Sequence, residues 1–91
     1  MSLPDRKRAT ALSYNKGDNA APKIVAKGQG LIAEKILDLA REAGVPIRED
    51  AALVNALASL DVGVEVPEDL YVAVAEALAW AYRLDSAARR G

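Results

Sequence analysis

Three groups of residues in this 91-residue chain have types and spacings that could do chemistry. Lys27-Gly28-Gln29-Gly30 places glycines between an extended stretch and a helical one, a setting in which backbone N–H groups can cradle phosphate. The carboxylate pairs Glu49-Asp50 and Glu68-Asp69, with Glu76 in an apolar run, could in principle move protons. The clusters Arg6-Lys7-Arg8 and Arg89-Arg90, with the aromatics Tyr14, Tyr71, Trp80 and Tyr82, could meet an acidic or flat ligand.

Each group has a plainer explanation that outweighs the chemical one. A Walker A loop needs Gly-x-x-x-x-Gly-Lys-Ser/Thr, and a dinucleotide fingerprint needs a third glycine where Ala33 stands, with an acidic residue about 20 positions on that Glu49 or Asp50 meets only loosely. Glycines that permit a tight strand-to-helix turn account for the motif. Both carboxylate pairs fall at expected helix starts, where capping and the helix dipole explain them. Glu76 fits a narrow surface stripe, since a buried unpaired carboxylate would be costly. The aromatics read as core or packed edge. The basic clusters read as solvated termini.

The chain contains no Cys and no His. That removes disulfides, a thiol nucleophile, the usual zinc sites and an imidazole base. With no nucleophile, base and oxyanion set, the expectation is a protein that is not an enzyme and that uses no metal and no cofactor. Residues 1–30 carry six basic and two acidic side chains, residues 31–82 three and ten, and residues 83–91 three and one, for a net charge of −1. Basic ends on an acidic body lack the domain-wide basic excess of a nucleic-acid binder, so no nucleic-acid partner is expected.

The elements that would position these residues follow from periodicity. Residues 8–14 alternate and suggest a strand, with Thr10, Leu12 and Tyr14 on one side. Asn15-Lys16-Gly17-Asp18-Asn19 suggests a loop, and residues 23–27 a second strand flanked by Pro22 and Gly28. Residues 31–43 suggest a helix with Ile32, Ile36, Leu39, Ala40 and Ala43 on its apolar face, ended by Gly44 and Pro46. Residues 45–49 suggest a short third strand, and Asp50 caps a helix over residues 51–60. Pro67 fits the first position of a helix reaching about residue 85, whose first three turns are apolar nearly all round and call for packing on more than one side. The expected fold is α/β: a small mixed sheet of about three strands covered by about three helices. Residues 1–8 are expected to form a flexible basic N-terminus, 9–85 the domain and 86–91 a flexible tail. The 13-residue apolar stretch 70–82 is short of the roughly 20 residues that span a membrane, and no apolar leader opens the chain, so no membrane insertion and a cytoplasmic location are expected.

Ala21-Pro22-Lys23-Ile24-Val25-Ala26-Lys27-Gly28-Gln29-Gly30-Leu31-Ile32-Ala33 resembles the cytoplasmic C-terminal domain of the FlhB/YscU family, the specificity-switch proteins of flagellar and virulence type III export. Val66-Pro67-Glu68-Asp69-Leu70-Tyr71, running on to Leu78-Ala79-Trp80, resembles the same domain, as do Val45-Pro46-Ile47-Arg48-Glu49-Asp50 and Leu53-Val54-Asn55-Ala56-Leu57 between them. The resemblance covers residues 9–84, and the Leu-Ala-Trp ending is similar to the flagellar branch. Two departures stand out. The family's four transmembrane helices have no counterpart here, and Pro4-Asp5-Arg6-Lys7 stands where the family carries Asn-Pro-Thr-His. Family members cut themselves through that Asn; here Asn15, Asn19 and Asn55 precede Lys16, Ala20 and Ala56, so self-cleavage is not expected.

The resemblance implies a free-standing equivalent of the half that a self-cleaved member retains, lacking the strand that precedes the cleavage loop. Its implied role is to dock on the flagellar export gate, at the inner face of the membrane, and help receive export substrates. Its implied partners are gate proteins, a truncated membrane FlhB and the substrates. The family's substrate-docking patch corresponds to Ala21, Pro22, Ala75 and Leu78, where Ala75 and Leu78 could equally be core. The alternative is a diverged adaptor or regulator that keeps the fold without the export role.

Overall fold

Alternation along residues 8–13 and the β-branched Ile24-Val25 pair give an antiparallel pair of strands. In the computed structural model, which describes residues 7–14 and 21–90 apart from the side chains of 85–90, β1 spans Arg8–Ser13 and β2 spans Lys23–Gln29. The loop expected at residues 15–19 lies outside the described residues. Register runs from Arg8 opposite Gln29 to Ala11 opposite Ala26; Leu12 then faces Ile24, so Val25 is bulged out of the ladder.

The bulge changes where β2 sends its peptide groups. Gly30 N–H donates to the Lys7 carbonyl at 2.8 Å, which aims alternate residues of this half of β2 at β1. Beyond Val25 the sense reverses. Ile24 N–H donates to the Val64 carbonyl at 3.0 Å, and the Ile24 carbonyl accepts from Gly63 N–H at 2.7 Å.

The third strand expected at residues 45–49 does not form; the sheet of the described residues has two strands. Val45 N–H donates to the Ala40 carbonyl at 2.9 Å, spending the segment's first donor on closing the preceding helix. Pro46 has no donor to offer a ladder. What borders β2 is the 63–66 segment, through a single bridge between Lys23 and Glu65.

Helix α1 spans Leu31–Ala43, between Gly30 at φ 63° and Gly44 at φ 73°. Both angles lie in the left-handed region that glycine enters without a Cβ penalty. Its apolar face is not the one periodicity suggested. Ala33 is fully buried and Ile36, Leu37 and Ala40 half-buried, whereas Ile32 and Leu39 are exposed. β2 approaches this helix closely: a Cβ on Gly28 would meet the Ile32 side chain, with its Cβ at 2.8 Å. Only small residues allow strand and helix so near.

Helix α2 spans Ala51–Leu57, and the Asp50 carboxylate accepts from Leu53 N–H at 3.0 Å, the expected cap. It stops short of residue 60, finishing in turns in which Ala58 and Leu60 donate to the carbonyls of Asn55 and Leu57. After Pro67 the chain makes a 3₁₀ turn, Glu68–Leu70, before α3 runs over Tyr71–Arg90. That helix continues past the expected end near residue 85.

Directly opposed residues of two strands share a face. Ala9 and Gly28 therefore look toward α1, while Arg8, Thr10, Leu12, Ile24 and Lys27 look toward α2 and α3. Lys27 Nζ duly reaches the Ala58 carbonyl at 3.2 Å. The sheet is thus sandwiched, with α1 on one side and α2 with α3 on the other. The core, on the second side, is Ile24, Leu53, Leu57, Val66 and Val74, with Leu12, Leu60, Leu70, Ala77 and Leu78 packed against it. Each fully buried aliphatic side chain contributes about 1.5–3 kcal/mol. Packing of α3 on more than one side is not seen: Val74 is 1% exposed and Val72 75%. Two strands offer that helix one surface, so only one of its faces is covered.

Candidate functional site

Strand β1 has a partner on one side. Because the Lys7 carbonyl receives Gly30 N–H, Lys7, Ala9 and Ala11 turn their peptide groups to β2, and Arg8, Thr10 and Leu12 turn theirs away. No described residue bonds the peptide groups of that outer row.

The outer row opens into a groove of about 1080 Å³. Ile36 and Ala40 of α1 line one wall, and Leu53 of α2 with Leu78 and Trp80 of α3 line the other. Arg8 Nη1 donates to Asn55 Oδ1 at 3.0 Å, tying the strand's first residue to α2 along this wall. Of the basic residues lining the groove, Arg41 pairs with Asp38 at 3.1 Å and Arg48 lies 3.9 Å from Asp50. Lys7 and Arg8 have no carboxylate partner among the described residues. Lys7 also borders a second, smaller pocket with Glu34 and Asp38, so this end of the groove carries both signs of charge.

The expected site residues are placed as follows. Ala21 and Pro22 are half-buried ahead of β2, and the Pro22 carbonyl accepts from Val66 N–H at 2.8 Å. Val66 belongs to the core that also holds Val74, and Leu78 packs on that core. Ala75 is exposed. Val66 thus links the two halves of the patch, and Leu78 serves both core and groove wall. Leu78 lines the groove; Ala21, Pro22 and Ala75 are not among its lining residues.

The glycine motif has a structural use. Gly28 sits in β2 opposite Ala9, and Gly30 gives its N–H to Lys7, so that donor is not available to an anion. Glu76 is exposed, as a surface stripe requires. Among the described residues no group of three carboxylates comes together as a metal site would need. The groove's lining is not evident from the sequence, although the missing strand ahead of β1 that the resemblance implies already points to an unpaired sheet edge.

Residues 6–81 match the model of the FlhB HrpN YscU SpaS family. The chain belongs to that family. The match takes in β1, β2, α1, α2, the first half of α3 and all four patch positions. YlqH of Bacillus subtilis (strain 168) is 40% identical over 83 residues, an alignment covering 91% of this chain and 89% of YlqH. The flagellar biosynthetic protein FlhB of Yersinia enterocolitica is 44% identical over 84 residues, covering 91% of this chain and 22% of that protein. The chain thus spans about a fifth of the FlhB relatives and most of YlqH. Among solved structures, the PscU C-terminal domain superposes with a TM-score of 0.75 at 30% identity, covering 80% of this chain and 94% of that domain. A singly substituted EscU C-terminal domain gives 0.79 at 27% identity, covering 85% and 94%. The family fold is therefore an α/β C-terminal domain, and no helix among the described residues is long and apolar enough to cross a membrane.

Proposed function

We propose that this chain is a non-enzymatic component of flagellar type III protein export, working as a separate equivalent of the FlhB C-terminal domain that docks on the export gate and helps receive export substrates. The observation that carries this reading is a pair of coverages: the chain aligns with about a fifth of FlhB and with nearly the whole of YlqH. A relative matched over 89% of its own length supports a domain that acts as its own polypeptide. The sequence contains no Asn-Pro bond, which supports a member that does not cut itself. Gate proteins and a truncated membrane FlhB are its partners in this reading, at the inner face of the membrane.

Substrate docking is assigned to Ala21, Pro22, Ala75 and Leu78. Ala75 is the position to test, because it is exposed beside the buried Val74 whereas Leu78 also packs the core. Ala75→Asp is expected to weaken capture of hook-type substrates about tenfold, equivalent to about 1.4 kcal/mol. Its unfolding free energy should shift by no more than about 0.5 kcal/mol, as for other surface changes. Pull-down of gate proteins and substrates by the wild-type chain, with a motility defect on deletion, supports the reading. Absence of both sinks it in favour of a diverged adaptor.

A further inference from the structure

We propose that the exposed face of α1 pairs with the same face of a second copy of this chain, the two helices lying antiparallel in a symmetric dimer. The proposal stands on the surface of α1 and is independent of the export reading.

The face is apolar and uncovered. At about 100° per residue, Ile32, Leu39 and Ala43 fall in one row, with Ile36 on its inner margin. Ile32 is 62% exposed and Leu39 55%, Ala43 is exposed and Ile36 is half-buried. These are the residues that periodicity assigns to the core. The two strands cover only the neighbouring face of the helix, where Ala33 is buried. A row of this kind is what a second helix packs against.

Charge selects the occupant. Lys35 and Glu42 border the row on its outer margin, and neither forms an ion pair among the described residues. Asp38, one turn from both, is held by Arg41 at 3.1 Å, and Glu34 lies on the far side of the helix, where it lines a pocket with Lys7. Lys35 and Glu42 stand about 10.5 Å apart along the axis, too far to meet each other. A second α1 running antiparallel about a two-fold axis brings Lys35 of each copy to Glu42 of the other, so one symmetric contact makes two opposite-charge pairs. The same alignment seats Ile32 against Ala43 and Ile36 against Leu39. In a parallel pair Lys35 would face Ala40 instead, and the charges would go unmatched. A contact of about three turns is smaller than the roughly 800 Å² per partner of a standard interface, so the dimer is weak, with a dissociation constant expected at about 100 µM.

Sedimentation equilibrium of the full chain from about 10 µM to about 1 mM tests this, and the mass should rise toward that of a dimer across the range. Leu39→Glu should weaken association at least about tenfold, because it sets a charge in the contact, with an unchanged circular-dichroism spectrum because the position is exposed. Lys35→Glu and Glu42→Lys should each weaken association about fivefold. An equal mixture of those two variants should regain the wild-type affinity, since both pairs across the axis are again of opposite sign. The chain has no cysteine, so Ile32→Cys and Ala43→Cys chains report the register: under oxidation their mixture should cross-link faster than either variant alone.

A monomer throughout the range overturns the proposal and leaves the face to a helix of another protein. A dimer that persists in Leu39→Glu also overturns it, placing the contact elsewhere. So does failure of the charge-reversed mixture to recover, or cross-linking no faster in the cysteine mixture than in the single variants. All of these are read on the purified chain, so their failure is separate from failure of the motility and pull-down tests.

Discussion

The two outer edges of this small sheet have opposite fates. On the β2 side the 63–66 segment folds against the strand: Ile24 exchanges bonds with Val64 and Gly63, Pro22 accepts from Val66, and Val66 itself is buried in the core. On the β1 side the peptide groups of Arg8, Thr10 and Leu12 face a groove. Both edges reach the apolar core, through Val66 on the closed side and Leu12 on the open side, and they differ in whether their outward peptide groups are bonded by described residues.

Substitutions can break that division. The largest effect is expected at the closed edge, where Ile24→Ala empties a fully buried position and should cost about 2–5 kcal/mol of unfolding free energy in a urea titration. Ala11→Pro comes next, because its N–H faces β2; it should cost about 3 kcal/mol by loss of a ladder bond and local distortion, against less than about 1 kcal/mol for Thr10→Pro one residue away. Equal costs would mean that the outer row is already bonded. Gly28→Val drives a side chain into Ile32 and should destabilise by about 1–3 kcal/mol, with Ile32→Ala restoring part of the loss in a double-mutant cycle. The smallest of the set, Asp50→Ala, removes the α2 cap and should lower stability by about 1 kcal/mol in thermal unfolding while leaving both edges as they are.

Local chemistry was the legible part of this fold. Gly44 and Pro46 end α1 where their conformational preferences demand, Asp50 caps α2, and β1 begins at the alternating residues. The features that failed to show are long-range. Residues 45–49 carry a strand-like composition, but a strand needs a neighbour, and Val45 is committed to the end of α1 instead. Conversely, nothing in Gly63-Val64-Glu65-Val66 announces a sheet border, because its partners, Pro22 and Ile24, lie about forty positions away. The burial of α1 departs from its periodicity for a related reason: periodicity defines an apolar stripe within the helix, whereas the neighbouring strands decide what is covered, so Ala33 is buried while Ile32, beside Gly28, stays largely exposed. Of the candidate site, the patch positions and the missing strand come from family resemblance, whereas the groove's walls depend on how α1, α2 and α3 pack around β1.

Val25 carries a consequence out of proportion to its single residue. Sliding β1 along β2 by one position would break the Ala11–Ala26 and Leu12–Ile24 pairings and turn every β1 side chain to the opposite face of the sheet. The bulge therefore acts as a ratchet tooth. The residue that fixes the register of β1 thus also turns Ile24 toward the 63–66 segment.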